Sequence, residues 1–170
     1  AYLSRVKQQS YTGIELLQQD FVRHKAKIRS RLSDFAGVKP DEYFYELLYC
    51  LLTPQSSAVN AGKAVEKLKE TGFHDRKIEP AELLYQKDSY IRFHNIKGKH
   101  LKEAKQKFPE IAAALSSRQT SADLRKWLVR NVKGLGWKEA SHFLRNVGHR
   151  DLAILDRHIL KNLTKHNVIR

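Results

Sequence analysis

The sequence predicts an all-α protein, on three observations. Apolar residues recur at intervals of three and four in most segments, sustained period-two alternation with Val, Ile and Thr is scarce, and the residues between segments are those that start and stop helices. Helices are expected near residues 13–32, 40–52, 56–70, 98–107, 121–131, 138–147 and 156–166. Pro40-Asp41-Glu42 puts proline and acids where the second of these begins, Thr71-Gly72 closes the third, and Asn146-Val147-Gly148 sets glycine at the end of the sixth. Residues 71–97, which hold Pro80, many polar side chains and Phe93-His94-Asn95, are expected as short helices joined by loops. No repeat, low-complexity run or domain boundary divides the 170 residues, a length suited to one domain.

Composition narrows the partner. Lys and Arg number 32 against 18 Asp and Glu, a formal charge of +14, which points to a polyanion, nucleic acid first. An anionic membrane is disfavoured because the basic residues are spread along the chain, and no stretch approaches the roughly 20 apolar residues of a membrane span. The single cysteine, Cys50, lies in the apolar run from Tyr43 to Leu52 and reads as a small buried hydrophobe. One cysteine excludes an intrachain disulfide and any four-cysteine zinc or iron–sulfur site. Ala1-Tyr2-Leu3 does not open a signal peptide, so an intracellular protein, cytoplasmic or nucleoid-associated, is expected. His142 and His158 read as hydrogen-bonding groups, because no Cys/His/Asp cluster has ligand spacing, and neither metal nor other cofactor is expected.

The most informative segment runs from Val132-Lys133-Gly134-Leu135-Gly136-Trp137-Lys138 into Glu139-Ala140-Ser141. It reads as helix, tight Gly-x-Gly turn, helix, a hairpin over about 123–148. Gly134 and Gly136 are expected to allow positive φ and close backbone approach, so that N–H groups of the turn and of the next helix converge on a phosphate oxygen. That contact carries no base sequence. Lys133 adds a cation beside it, and the basic run Lys97-Gly98-Lys99-His100-Leu101-Lys102 is expected either as a solvated helix face or as a backbone-phosphate contact.

On these residues the chain resembles the helix–hairpin–helix DNA glycosylase superfamily. The wording Gly134-Leu135-Gly136-Trp137-Lys138-Glu139-Ala140-Ser141-His142-Phe143-Leu144-Arg145-Asn146 is similar to the second family of 8-oxoguanine DNA glycosylase/lyases, and Asp151 through Leu160 resembles the segment that carries its catalytic aspartate. Leu51-Leu52-Thr53-Pro54-Gln55-Ser56-Ser57-Ala58 resembles the superfamily's early turn that meets DNA at the lesion. The resemblance covers roughly residues 40–166 and implies two helical lobes with the active site between them, a monomer acting on damaged double-stranded DNA, and excision of 8-oxoguanine followed by strand cleavage. Members of that family continue a few dozen residues beyond the position of Arg170 in a tail that helps form the base pocket, so residues 1–170 alone are expected to discriminate lesions poorly.

The resemblance makes Lys138 the nucleophile and Asp156, 18 residues later, its acidic partner. An amine suits both steps, because it can displace the base at the anomeric carbon and then form an imine that promotes strand cleavage. At the first turn of a helix the positive dipole end favours the neutral amine, and Lys133 pushes the same way. Asp156 reads as an N-cap whose carboxylate, kept ionised by backbone N–H groups, stabilises cationic charge developing on the sugar. A base must leave the duplex to be reached. Gln55 is expected to fill the gap opposite the orphaned base, and Phe93 to stack on the extruded one, unless Phe93 is ordinary core. Two other readings remain: an oxidised-pyrimidine glycosylase of the same fold, and a noncatalytic hairpin module that needs Gly134 and Gly136 but neither Lys138 nor Asp156.

Overall fold

A computed structural model describes residues 13–169, all of whose regular structure is helical. In chain order these are α1 (Ile14–Ala36), a turn of 3₁₀ helix (Pro40–Glu42), α2 (Tyr43–Leu52), α3 (Ala58–Glu70), α4 (Pro80–Leu84), α5 (His94–Leu115), α6 (Ser121–Asn131), α7 (Trp137–Asn146) and α8 (Arg157–Lys165). The all-α expectation holds, and the punctuation acts as read: Gly72 and Gly148 adopt φ of 70° and 100° just past α3 and α7.

The apolar run from Phe44 to Leu52 makes α2 the centre of the molecule. Phe44, Leu47, Leu48, Cys50, Leu51 and Leu52 are all buried, and α2 packs against α3, α5 and α7. Each large side chain so enclosed contributes about 1.5–3 kcal/mol from removal of apolar surface from water. Leu101, Ala104 and Ile111 of α5, Leu124 and Leu128 of α6, and Ala140, Phe143 and Leu144 of α7 close the same core. Cys50 is buried, as expected.

Helix α1 runs on to Ala36, past the expected 32, Pro40–Glu42 forms a 3₁₀ turn so that α2 starts at Tyr43, and two further elements depart from the sequence reading. Helix α5 is far longer than the expected 98–107: it starts at His94 and runs through Pro109 to Leu115. Buried Ile111 and Ala114 beyond the proline show why, since packing of that last turn outweighs the hydrogen bond that proline removes. At its other end α5 is set against α4 by Gly98, where a Cβ would sit 3.1 Å from Ala81 Cβ and 3.2 Å from Ala81 N. Helix α3 starts at Ala58 instead of 56, because Ser57 turns out to be its cap, accepting from Val59 N at 3.2 Å and Asn60 N at 3.5 Å.

The two ends of the described chain are less enclosed. Of α1 only Phe35 is buried, with Leu16, Leu17, Phe21 and Val22 exposed, and no residue of α8 is buried. No described helix is long and apolar enough to cross a membrane.

Candidate active site

The hairpin forms as read, with one correction. Gly134 lies at φ 84°, in the region that disfavours side chains, and a Cβ there would meet His100 Nδ1 at 2.4 Å, so glycine is required twice over. Gly136 instead has φ −84° and ψ −179°, the extended backbone usual for a helix N-cap, and needs no left-handed freedom. A Cβ on Gly136 meets only Glu139 Oε2, at 2.9 Å. Residues 129–136 line an open hollow of about 530 Å³. Lys133 stands at its rim with Nζ 3.7 Å from Glu103 Oε1.

Lys138 falls in the first turn of α7 and projects outward, its side chain 43% exposed, with Nζ 3.6 Å from Glu139 Oε1. Asp156 caps α8: Oδ1 accepts from His158 N and Ile159 N, both at 2.9 Å. These N–H groups, Ile159 first, hold its carboxyl below the usual carboxylate range, helped by the positive charges of His158 and Lys138. The carboxylate thus stays ionised, with backbone N–H groups as the main cause. The stretch before α8 is tied down by Ser121 Oγ, 2.7 Å from His149 Nδ1.

Further along α7 than Lys138, from His142 onward, that helix walls a cavity of about 360 Å³, which sequence reasoning did not reveal. It is bounded by α1, α2, α3 and α7, with Tyr49, His142 and Arg145 among its lining residues and Val59 and Gly62 on another wall. His142, one turn beyond Lys138, meets the Tyr49 ring edge to face at 5.8 Å. Burial, with Arg145 and Lys138 adding repulsion, lowers the His142 pKa to about 4, so the ring is neutral at physiological pH. The guanidinium groups of Arg31 and Arg145 lie over the Phe35 ring at 4.5 and 4.7 Å. Arg145 also donates to Asn146 Oδ1 at 3.1 and 3.3 Å, and Asn146 Nδ2 donates to Glu46 Oε2 at 2.7 Å. Glu46 is itself raised above the usual range by burial. An i, i+4 spacing from Lys138 was the one sequence signal for His142. His158, by contrast, is exposed at the start of α8.

Gln55 and Phe93 share an unusual feature. Among described residues other than glycine, only Gln55 (φ 55°), Phe93 (φ 59°) and Asn167 (φ 56°) have left-handed backbones. Such conformations cost energy and cluster where function dictates geometry. Phe93 is not core: it is 46% exposed, at the N-cap of α5, with the Arg92 guanidinium 4.9 Å from its ring centre. Lys97, expected on a solvated face or against phosphate, is instead buried. Its Nζ donates to Leu52 O at 2.7 Å, Pro54 O at 2.6 Å and Ser56 Oγ at 3.1 Å, because the turn after α2 leaves carbonyls that need donors. Among the described residues no group of three or more His, Cys, Asp or Glu is placed to hold a metal ion.

Known proteins resemble this chain in sequence and fold. A family model for 8-oxoguanine DNA glycosylase matches residues 28–170. The 8-oxoguanine DNA glycosylase/AP lyase of Fusobacterium nucleatum is 37% identical over 175 aligned positions, which cover 96% of this chain and 77% of that protein. The crystal structure of the 8-oxoguanine DNA glycosylase of Thermotoga maritima superposes with a TM-score of 0.77 at 31% identity, covering 91% of this chain and 74% of that one. The Methanocaldococcus jannaschii 8-oxoguanine glycosylase/lyase, solved in complex with a 15-mer DNA containing 8-oxoguanine, gives 0.77 at 33% identity, covering 91% of this chain and 77% of that one. With the hairpin, the lysine at the head of α7 and the aspartate cap of α8 all in place, the chain belongs to the 8-oxoguanine DNA glycosylase family.

Proposed function

We propose that the protein is a bifunctional repair enzyme that removes 8-oxoguanine from double-stranded DNA and then cleaves the strand, with Lys138 as nucleophile and Asp156 as its electrostatic partner. The observation that carries this reading is an outward amine at the head of α7 whose charge is felt by an ionised cap at the head of α8, with an aromatic-lined cavity further along α7. The hairpin backbone at Gly134 and Gly136 holds phosphate while the damaged nucleotide turns out of the duplex. The extruded purine enters the cavity, where the neutral His142 and Tyr49 offer ring surfaces and Arg145 a donor. Gln55 stays at the opening in the base stack, and Phe93 offers its exposed ring to the extruded base.

Once Lys138 has given up its ammonium proton to solvent, its nitrogen bonds to the sugar's anomeric carbon as the bond to the base breaks, the electron pair of that bond leaving with the purine, which takes up a proton. The Asp156 carboxylate stabilises the positive charge that grows on the sugar. Sugar ring opening leaves a protonated imine on Lys138, and loss of a proton from the neighbouring carbon expels the 3′ phosphate. On this reading the chain acts as a monomer on intracellular DNA, through one glycosylase domain spanning residues 1–170.

Sodium borohydride trapping tests the reading. The protein is expected to form a covalent adduct with an 8-oxoguanine duplex, and Lys138→Gln to lose both adduct and strand cleavage while keeping lesion binding. Asp156→Asn, which keeps the cap but loses the charge, is expected to slow single-turnover excision about 10²–10³-fold. Undiminished adduct in Lys138→Gln assigns the nucleophile elsewhere, and faster cleavage of an oxidised-pyrimidine duplex by a longer natural form refutes the substrate.

A further inference from the structure

We propose that Lys97 is a positioning residue for base extrusion, its buried ammonium clamping the Thr53–Ser57 turn so that Gln55 and Phe93 are presented to DNA as one unit. The inference rests on the reading that this face meets the lesion.

The geometry is that of a matched donor set. An ammonium has three N–H groups, and Nζ of Lys97 has three oxygen partners: Leu52 O, Pro54 O and Ser56 Oγ. Leu52 is the last residue of α2, where a carbonyl has no partner within its own helix and the negative end of the helix dipole favours a cation. Pro54 O belongs to the peptide that precedes Gln55, so holding it fixes the plane from which the strained φ of Gln55 departs. Ser56 Oγ also accepts Arg92 N at 3.1 Å, next to Phe93. A continuous chain of hydrogen bonds thus runs from Gln55's own turn through Lys97 and Ser56 to the residue before Phe93. Asn60 Nδ2 donating to Tyr90 O at 3.1 Å adds a second stitch between the same two segments.

An apolar residue suffices to fill the space beneath a turn, yet this one is an ammonium, and none of the three groups it bonds is a carboxylate. Burial opposes that charge and lowers the Lys97 pKa to about 8. Groups kept against such opposition while two neighbouring backbones sit in left-handed conformations are characteristic of sites held ready for a partner. Lys97 points away from solvent, into the turn, so it acts on DNA only through Gln55 and Phe93.

A purely structural staple and a positioning residue differ in what they spare. Extrusion is needed for excision from a duplex but not for cleavage at an abasic site already exposed in a single strand, a step that asks only for Lys138 and Asp156. The test compares the parent protein with Lys97→Met, Ser56→Ala and Gln55→Ala on three readouts. These are emission from 2-aminopurine placed beside 8-oxoguanine in a duplex, single-turnover excision, and lyase activity on an abasic single-stranded oligonucleotide.

Lys97→Met is expected to lose extrusion and duplex excision by about tenfold to a hundredfold, the range for a small misplacement of reacting groups, while single-strand lyase activity stays within about threefold. Ser56→Ala, which removes one acceptor and the link to Arg92, is expected to move the same two readouts less far. Parallel loss of all three activities in Lys97→Met, or unchanged extrusion, overturns the proposal. Should Lys97→Met not fold, unchanged extrusion in Ser56→Ala overturns it. Loss in Gln55→Ala with none in Lys97→Met also counts against Lys97. Parent protein that extrudes the lesion but does not excise it counts against the proposed chemistry, and the emission readout still decides on Lys97.

Discussion

His142 shows how one side chain records its surroundings. In an unfolded chain its imidazole takes a proton near pH 6.5, whereas in the folded protein burial, Arg145 and Lys138 delay this to about pH 4. Between those values acid protonates the unfolded chain first. The resulting contribution to stability is therefore complete above about pH 6.5 and lost as pH falls towards 4. Replacing His142 with Gln, which does not titrate, is expected to reduce the loss of stability between pH 7 and 4.5 by roughly 2 kcal/mol, read by urea unfolding at both pH values. An equal acid loss in parent and variant contradicts the burial argument. Legibility also differs residue by residue. Lys138 and Asp156 were visible because each occupies a motif position that local helix geometry explains. Lys97 was misread because a lysine in a basic run gives no sign that three oxygens from a distant turn surround it. The cavity-lining position of His142 was not visible, because its ring partner Tyr49 comes from another helix.

At the scale of elements, the hairpin separates two glycines that the sequence treats alike. Gly134 combines φ 84° with the His100 ring against its Cα, whereas Gly136 has ordinary extended backbone and faces only the end of a flexible glutamate. Gly134→Ala is expected to cost about 1–3 kcal/mol of stability from backbone strain and to weaken duplex binding about tenfold or more, while Gly136→Ala changes stability by under about 1 kcal/mol. Thermal unfolding and duplex titration of the two variants check this, and equal losses in both defeat it. Helices α2, α6 and α7 were legible within a residue or two at most boundaries because their apolar stripes and end signals agree. Helix α5 was not, since Pro109 is a stop signal by local rules and only the burial of Ile111 and Ala114 overrides it.

The whole molecule presents +14 of formal charge to a polyanion, and association with undamaged duplex is expected to be driven largely by release of counterions. Raising salt from about 50 to 200 mM is expected to weaken that binding by orders of magnitude, about 10³-fold if six phosphates are neutralised. An affinity that hardly moves across this range excludes a phosphate-led interface. Charge and fold class were legible at this scale because both are sums over many residues, so single misreadings cancel. The cavity between α1, α2, α3 and α7 was not, because its walls come from four helices whose relative placement is fixed only by packing. One feature of that packing bears on turnover. Helix α8, which has no buried residue, carries the carboxylate that the proposed mechanism pairs with Lys138, so the two groups of that mechanism stand on supports of unequal firmness. The measured rate is then the rate of the assembled pair multiplied by the fraction of time α8 is formed, and a substitution that only lengthens that occupancy speeds the enzyme without touching a reacting atom.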